Sequence, residues 1–331
     1  MKKAFYIIGM FLLVQCGMGI VLKMLTHLIK AGARAVGASS PVSMPTLELA
    51  ILIITNILVI VFAVLICRKG WKAPFRWRKP YSDSSFPDSY SSIPVLPDET
   101  DNLQNVNRDF PQQTTTFPTG KTSFARSPYF SLRRNLILLS LIGMLPLMFA
   151  VNALNEWIDL PDLMSETFYA MSFSPLALAA LAVAGPIAEE FCFRYGLEGS
   201  LLEDRRESDG GRKFPVWAAV VVSAAVFGLI HVNPAQIVGA FLFGLYFGAL
   251  YAFTGSLWPS MLCHVLNNLA AVVMMRVLPE DFTLTASLND NALLLMLVLL
   301  SLIILFLILR AMIIVHRRAV ARFSSARGAE E

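Results

Sequence analysis

The stretch Gly185-Pro186-Ile187-Ala188-Glu189-Glu190-Phe191-Cys192-Phe193-Arg194 places two adjacent carboxylates and an arginine at the end of a long apolar run. A charged residue at the centre of a spanning helix costs about 2.5–3.5 kcal/mol on insertion scales, so the group requires partners or a wet cavity. The rest of the chain favours a membrane setting. Of 331 residues, 56% are hydrophobic and 15% charged, with mean hydropathy +0.62, against roughly 45–50% apolar and 25% charged in soluble domains. The predicted fold class is all-α, a polytopic membrane helix bundle.

Working outward, apolar segments fall at Ala4–Leu28, Leu47–Cys67, Leu136–Leu154, Ser174–Phe193, Val216–His231, Ile237–Phe253, Leu257–Met275 and Ala292–Val315. Each is near the roughly 20 residues that a hydrocarbon core of about 30 Å requires, which gives about eight transmembrane helices. The first, following Met1-Lys2-Lys3, is longer than a signal-peptide core and is expected to remain as an uncleaved helix. Basic clusters at Lys2–Lys3, Arg68–Lys79, Arg126–Arg134, Arg205–Lys213 and Arg317–Arg327 alternate with acidic connections at Glu156–Glu166 and Pro279–Asp290. Lys and Arg mark cytoplasmic loops, so both termini are expected in the cytoplasm, with a bacterial inner membrane as the expected location. Lys23, Lys30 and Arg34 depart from the pattern and can snorkel.

Three segments are expected: 1–80, an N-terminal two-helix membrane segment; 81–127, a disordered cytoplasmic loop; and 128–331, the helix bundle. Tyr81–Ser127 is rich in Ser, Thr, Pro and Asp and offers too little apolar surface to offset the entropy of ordering. The net charge of +4 is modest, and the basic residues sit beside apolar segments as orientation determinants do, which excludes a nucleic-acid partner. Membrane lipid and a peptide or protein substrate, the latter possibly membrane-anchored, are the expected partners. Cys16, Cys67, Cys192 and Cys263 lack metal-ligand or disulfide-framework spacing and read as small hydrophobes. Ala240, Gly244, Gly248 and Ala252 recur every fourth residue, a stripe that lets a neighbouring helix approach closely.

Polar clusters on three apolar helices carry the chemistry. Glu190 and Arg194 are four apart and can pair, whereas Glu189 lies about 100° around the helix and is left for other work. Pro186 suits the first turn of a new helix. Of four histidines, His231 closes Phe227-Gly228-Leu229-Ile230-His231, and His264 opens His264-Val265-Leu266-Asn267-Asn268. Phe227 therefore packs one turn before His231, and His264 shares a face with Asn268.

A carboxylate in an apolar cavity has its charged form disfavoured, the environment from which a general base is made. Two chemistries follow. Glu189, His231 and His264 could hold zinc and ionise a bound water, or Glu189 and histidine could activate water without a metal. Asn268 suits an oxyanion donor in either case. The alternative class is non-enzymatic: an ion-coupled transporter with an internal ion pair.

At these residues the chain resembles the CAAX protease and bacteriocin-processing (Abi) family of intramembrane endopeptidases. Its motifs E-E-x-x-x-R, F-x-x-x-H and H-x-x-x-[ND] all match in order, within Leu160–Leu278. The resemblance implies that Glu189 and His231 activate the hydrolytic water, His264 assists and Asn268 stabilises the oxyanion. Glu190 and Arg194 then support the site. The family includes enzymes acting on prenylated C-a-a-X proteins and members tied to bacteriocin immunity, so the resemblance does not fix the substrate and leaves a self-immunity factor as a further alternative.

One expectation concerns depth. At about 1.5 Å per residue from the basic loops, His231 falls toward the outer face and His264 nearer the cytoplasm, so straight helices would not bring them together.

Overall fold

The computed structural model describes residues 3–15, 44–67, 128–204, 214–279 and 281–327, with positions 17, 24, 28 and 74 besides. The loop expected at Tyr81–Ser127 and the basic connection Arg205–Lys213 lie outside the described residues. Among those described, every regular element is a helix. They are α1 (Lys3–Gln15), α2 (Met44–Cys67), α3 (Pro128–Ile158), α4 (Ser165–Ser172), a composite α5 over 175–203, α6 (Val216–Leu229), α7 (Pro234–Thr254), α8 (Leu257–Val277), α9 (Leu284–Leu288) and α10 (Asn291–Arg327). The chain is an all-α membrane helix bundle.

Among the described residues, four helices are long and apolar enough to cross a membrane: Leu132–Ile158, Pro234–Thr254, Leu257–Val277 and Asn291–Arg317. Lys3–Gln15, Ile51–Cys67 and Val216–Leu229 are shorter apolar helices within the described residues. The last of these ends two residues before the expected span Val216–His231 does. The α6 helix has 14 residues, about 21 Å of rise, which stops short of a core of about 30 Å. His231 follows in the turn after it. The side chain one turn earlier, Phe227, reaches both histidines.

The α5 segment is the element on which the fold centres. Five stretches follow one another: α over Pro175–Ala177, π over Leu178–Ala184, α over Gly185–Glu190, π over Phe191–Glu198 and α over Gly199–Glu203. Leu178, Ala184, Glu190, Phe191 and Gly199, at the joins, all keep right-handed helical dihedrals. Pro186 stands in the first turn of the α stretch Gly185–Glu190, as expected, but the backbone before it is already helical, so the chain is not broken there. A proline inside an α-helix removes a hydrogen bond and presses its ring on the preceding turn; the wide π-turns just before it relieve that conflict. The two carboxylates thus stand on one short α stretch between two π stretches. The element also runs on to Glu203, well beyond the expected end at Phe193.

Two buried clusters hold this element in place. In one, Ile7 and Phe11 of α1, Val59 and Ala63 of α2 and Ala219 and Phe227 of α6 pack with Ala188, Phe191, Cys192 and Phe193 of α5. Phe11 meets Phe193 edge to face at 5.1 Å between centroids. In the other, Leu136 and Met144 of α3 pack with Tyr246, Phe247 and Leu250 of α7, Cys263 of α8 and Met312 of α10. The Tyr246 hydroxyl donates to the Ser140 carbonyl at 2.7 Å, a buried tie between α3 and α7. Opposite these clusters α10 leaves Leu299, Ile303, Phe306 and Leu307 exposed, the surface a membrane helix turns to lipid.

The α6–α7 turn is unusual. Val232 has φ 58°, a value that costs a β-branched residue on the order of 1–3 kcal/mol. Asn233, 2% exposed, holds the turn from outside: its Nδ2 donates to Asp162 Oδ1 at 2.9 Å and its Oδ1 accepts from Leu163 N at 3.0 Å. A strained backbone is thereby kept directly after His231.

Candidate active site

Glu190 and Arg194 are both fully buried, with Arg194 Nε 3.7 Å from Glu190 Oε2 across one helical step. That separation is an ion pair without a hydrogen bond. The guanidinium is fixed by other contacts: Nη1 donates to Ser223 Oγ at 3.0 Å, and Ser223 in turn donates to the Phe193 carbonyl at 3.0 Å. Its face lies 4.8 Å from the Phe227 ring centroid, and the ring quadrupole supplies attraction that water cannot supply in a dry place.

Glu190 has a second duty that spacing along α5 could not reveal. His264 Nδ1 is 3.1 Å from Glu190 Oε1, and a carboxylate accepts, so Nδ1 carries the proton and donates. This orientation turns Nε2 toward Glu189, whose Oε2 lies 3.6 Å away. The difference in exposure separates the two carboxylates: the Glu189 side chain is 24% exposed and that of Glu190 not at all. Only Glu189 can meet a water molecule or a substrate while one imidazole faces it.

Phe227 is where the motifs meet. Its ring is edge-on to His231 at 4.9 Å, to His264 at 5.6 Å and to Phe193 at 5.4 Å. His231 Nδ1 lies 2.8 Å from the Phe227 carbonyl, and a carbonyl only accepts, so Nδ1 is the protonated nitrogen and Nε2 keeps a lone pair. His264 is also stacked on Phe247 at 4.8 Å. The structure thus joins Glu189, Glu190, Arg194, Phe227 and His264 in one connected group, and it brings His231 to that group through the Phe227 ring.

Asn268, one turn beyond His264, donates through Nδ2 to the Leu181 carbonyl at 3.0 Å. Leu181 belongs to the π stretch, where the donor expected five residues on is Pro186, which has no N–H. The amide of α8 therefore serves a carbonyl that the proline leaves short. Asn267 Nδ2 donates to Asn268 Oδ1 at 3.2 Å and sets which way the amide points. An amide nitrogen carries two hydrogens, so one Asn268 N–H remains for another acceptor.

The sequence reading missed Glu198. It is fully buried, and neither carboxylate oxygen has a hydrogen-bond partner among the described residues. The available signal was its spacing, four residues after Arg194 as Glu190 is four before. The glycine stripe on α7 also divides in function. A side chain at Gly244 would meet Ala224 and Phe227 at 3.1–3.2 Å, as helix packing requires, whereas a Cβ at Gly248 would lie 2.7 Å from Glu198 Oε2.

For zinc, the proposed ligands were Glu189, His231 and His264. No group of three or more His, Cys, Asp or Glu side chains able to hold a metal ion occurs among the described residues. Both His264 nitrogens face carboxylates and His231 Nδ1 is taken by a carbonyl. As placed, the three side chains do not gather into a metal site among the described residues, although each histidine, with Nδ1 donating to an oxygen, keeps an Nε2 able to ligate.

Comparison with known proteins gives a consistent result. Residues 171–270 match the family model described as Rce1-like, type II CAAX prenyl endopeptidase. The "Putative membrane peptidase YdiL" of Bacillus subtilis (strain 168) is 29% identical over 100 residues, which is 30% of this chain and 37% of that protein. The aligned part thus spans little more than a third of the relative. No solved structure matches. The family resemblance drawn from the three motifs is borne out over a segment that contains all of them, from Glu189 to Asn268.

Proposed function

We propose, from the premise that 171–270 is an Rce1-like segment, that this chain is an intramembrane peptidase whose hydrolytic water is activated by Glu189. The observation that carries this reading is the contrast within the pair: Glu189 is 24% exposed beside His264, while Glu190 is wholly buried and committed to Arg194 and His264. A base must reach water, and its orienting partners need not.

In the proposed reaction Glu189 takes a proton from water as the oxygen attacks the scissile carbonyl. A tetrahedral oxyanion forms, the C–N bond breaks, and Glu189 returns its proton to the departing amine. Glu190 holds His264 so that Nε2 faces the base. His231 Nε2, with its lone pair, offers the water a second acceptor, and the second N–H of Asn268 offers the oxyanion a donor. The substrate class proposed is a peptide or protein segment that reaches the site from within the bilayer, a C-terminally prenylated one by likeness to the family. The proposed setting is a bacterial inner membrane with both termini in the cytoplasm.

The test is cleavage of a panel of C-terminally prenylated peptides, with unprenylated transmembrane peptides beside them, by purified protein in liposomes. Cleavage of prenylated members supports the reading; cleavage of the unprenylated peptides alone would keep the peptidase and change its substrate class. Asn268→Ala should lower kcat about 10²–10³-fold if the amide serves the oxyanion, and an unchanged kcat would leave it only its role at Leu181. Orientation is tested separately with a reporter cysteine at Ser92. It should resist an impermeant reagent outside intact cells, and labelling there would reverse the assigned topology.

A further inference from the structure

Glu198 enters neither the motifs nor the proposed reaction, yet its burial is complete. It stands one turn past Arg194, beneath α7, where Gly248 offers no side chain. The Cβ that any other residue would add lies 2.7 Å from Glu198 Oε2 and 3.5 Å from its Cδ. Both carboxylate oxygens lack a protein hydrogen bond, as do Arg194 Nε and Nη2 close by. Burying a carboxyl group without partners is costly, and the nearest compensating charge is the guanidinium on its own helix. Arg194 thus lies between two carboxylates at equal spacing along α5, Glu190 before it and Glu198 after it.

We propose that Glu198, seated by Gly248, is a positioning residue for the peptidase site. It draws on the far side of the Arg194 guanidinium and so fixes where that group meets Glu190, which in turn holds His264. The inference rests on the peptidase reading above, because the atoms it positions are those assigned to water activation. The chain of contacts is short. Arg194 is anchored by Ser223 and covered by Phe227, while its Nε and Nη2 make no hydrogen bond among the described residues. Without the Glu198 carboxyl group, the guanidinium can shift within its pocket and carry Glu190 with it. Small displacements of this kind in a supporting shell lower turnover by up to about a hundredfold.

The experiment uses the full chain in liposomes. Glu198→Ala should lower kcat on the order of ten- to a hundredfold with KM nearly unchanged, and Glu198→Gln, which keeps the shape and a polar oxygen in the seat, should recover most of it. Gly248→Ala should impair kcat in the wild-type background, because the added methyl displaces the carboxyl group. In the Glu198→Ala background it should cost nothing further, since the group it displaces is gone. Additive losses would overturn the seat and leave Gly248 acting through Val220, the other side chain it approaches. A wild-type kcat for Glu198→Ala would overturn the positioning role. If wild type cleaved no peptide, the peptidase reading would fail, and the seat would then be read from melting temperatures of wild type, Glu198→Ala, Gly248→Ala and the double variant. Loss of the Gly248→Ala penalty in the Glu198→Ala background would still support it, and additivity would still reject it.

Discussion

Glu189→Gln should leave a folded, correctly inserted protein whose peptide hydrolysis is lower by at least 10²–10⁴-fold, the usual worth of general-base catalysis. The two halves of this expectation rest on different observations. Glutamine keeps the shape of the side chain, and Glu189 is the partly exposed member of the pair, so little packing or buried charge depends on it. His264 loses the carboxylate facing Nε2 but keeps Glu190 at Nδ1, so the imidazole stays oriented. What is lost is the only group of the first motif that can take a proton from water. The effect should fall on kcat, with KM little altered, because the interaction is made in the transition state and not in substrate binding. Equal melting temperatures beside a collapsed kcat would identify a base; loss of both would identify a structural residue.

Arg194→Ala should do the reverse and fail first in folding. Arg194 is among the largest fully buried side chains, and its removal strips Glu190 of its ion pair, Ser223 of its donor and Phe227 of the cation over its face. Breaking a buried pair by deleting one partner costs about 3–5 kcal/mol, because a charge is left without compensation. A loss of that size is a large share of the roughly 5–15 kcal/mol that separates folded from unfolded states. Membrane yield and thermal stability should both drop sharply. The double substitution Glu190→Gln with Arg194→Gln removes the orphaned charge and should recover part of the loss, whereas simple additivity would mean that the pair does not act as one.

The different placement of Glu189 and Glu190 was readable from spacing, because i,i+4 neighbours share a helix face and i,i+1 neighbours do not. The same rule placed Phe227 under His231. The two π stretches of α5 were not readable, since an apolar run has the same hydropathy whichever backbone register it adopts. Asn268 illustrates the limit. Its partner, the Leu181 carbonyl, is a backbone atom 87 residues away, and the need for a partner arises only because a π-turn precedes Pro186. Glu190 holding His264 is likewise a contact between helices that no local pattern encodes. Glu198 was missed for another reason: the span was expected to end at Phe193, and the residue lies beyond that limit. The helix continues and buries it. Gly248 could not be told from Gly244 by sequence, because a stripe of small residues reports close approach and not what approaches.

Turnover in H₂¹⁸O tests the central claim most directly, that a water activated by Glu189 attacks the peptide bond. Purified protein in liposomes is given a prenylated peptide over many turnovers, and product and enzyme are weighed by mass spectrometry. The account predicts one heavy oxygen in the newly formed product carboxylate and none in the Glu189 side chain, because the base takes only a proton. Heavy oxygen in Glu189 would mean that the carboxylate itself attacks and is released by water, and a chain that cleaves nothing in any member of the panel would contradict the account altogether.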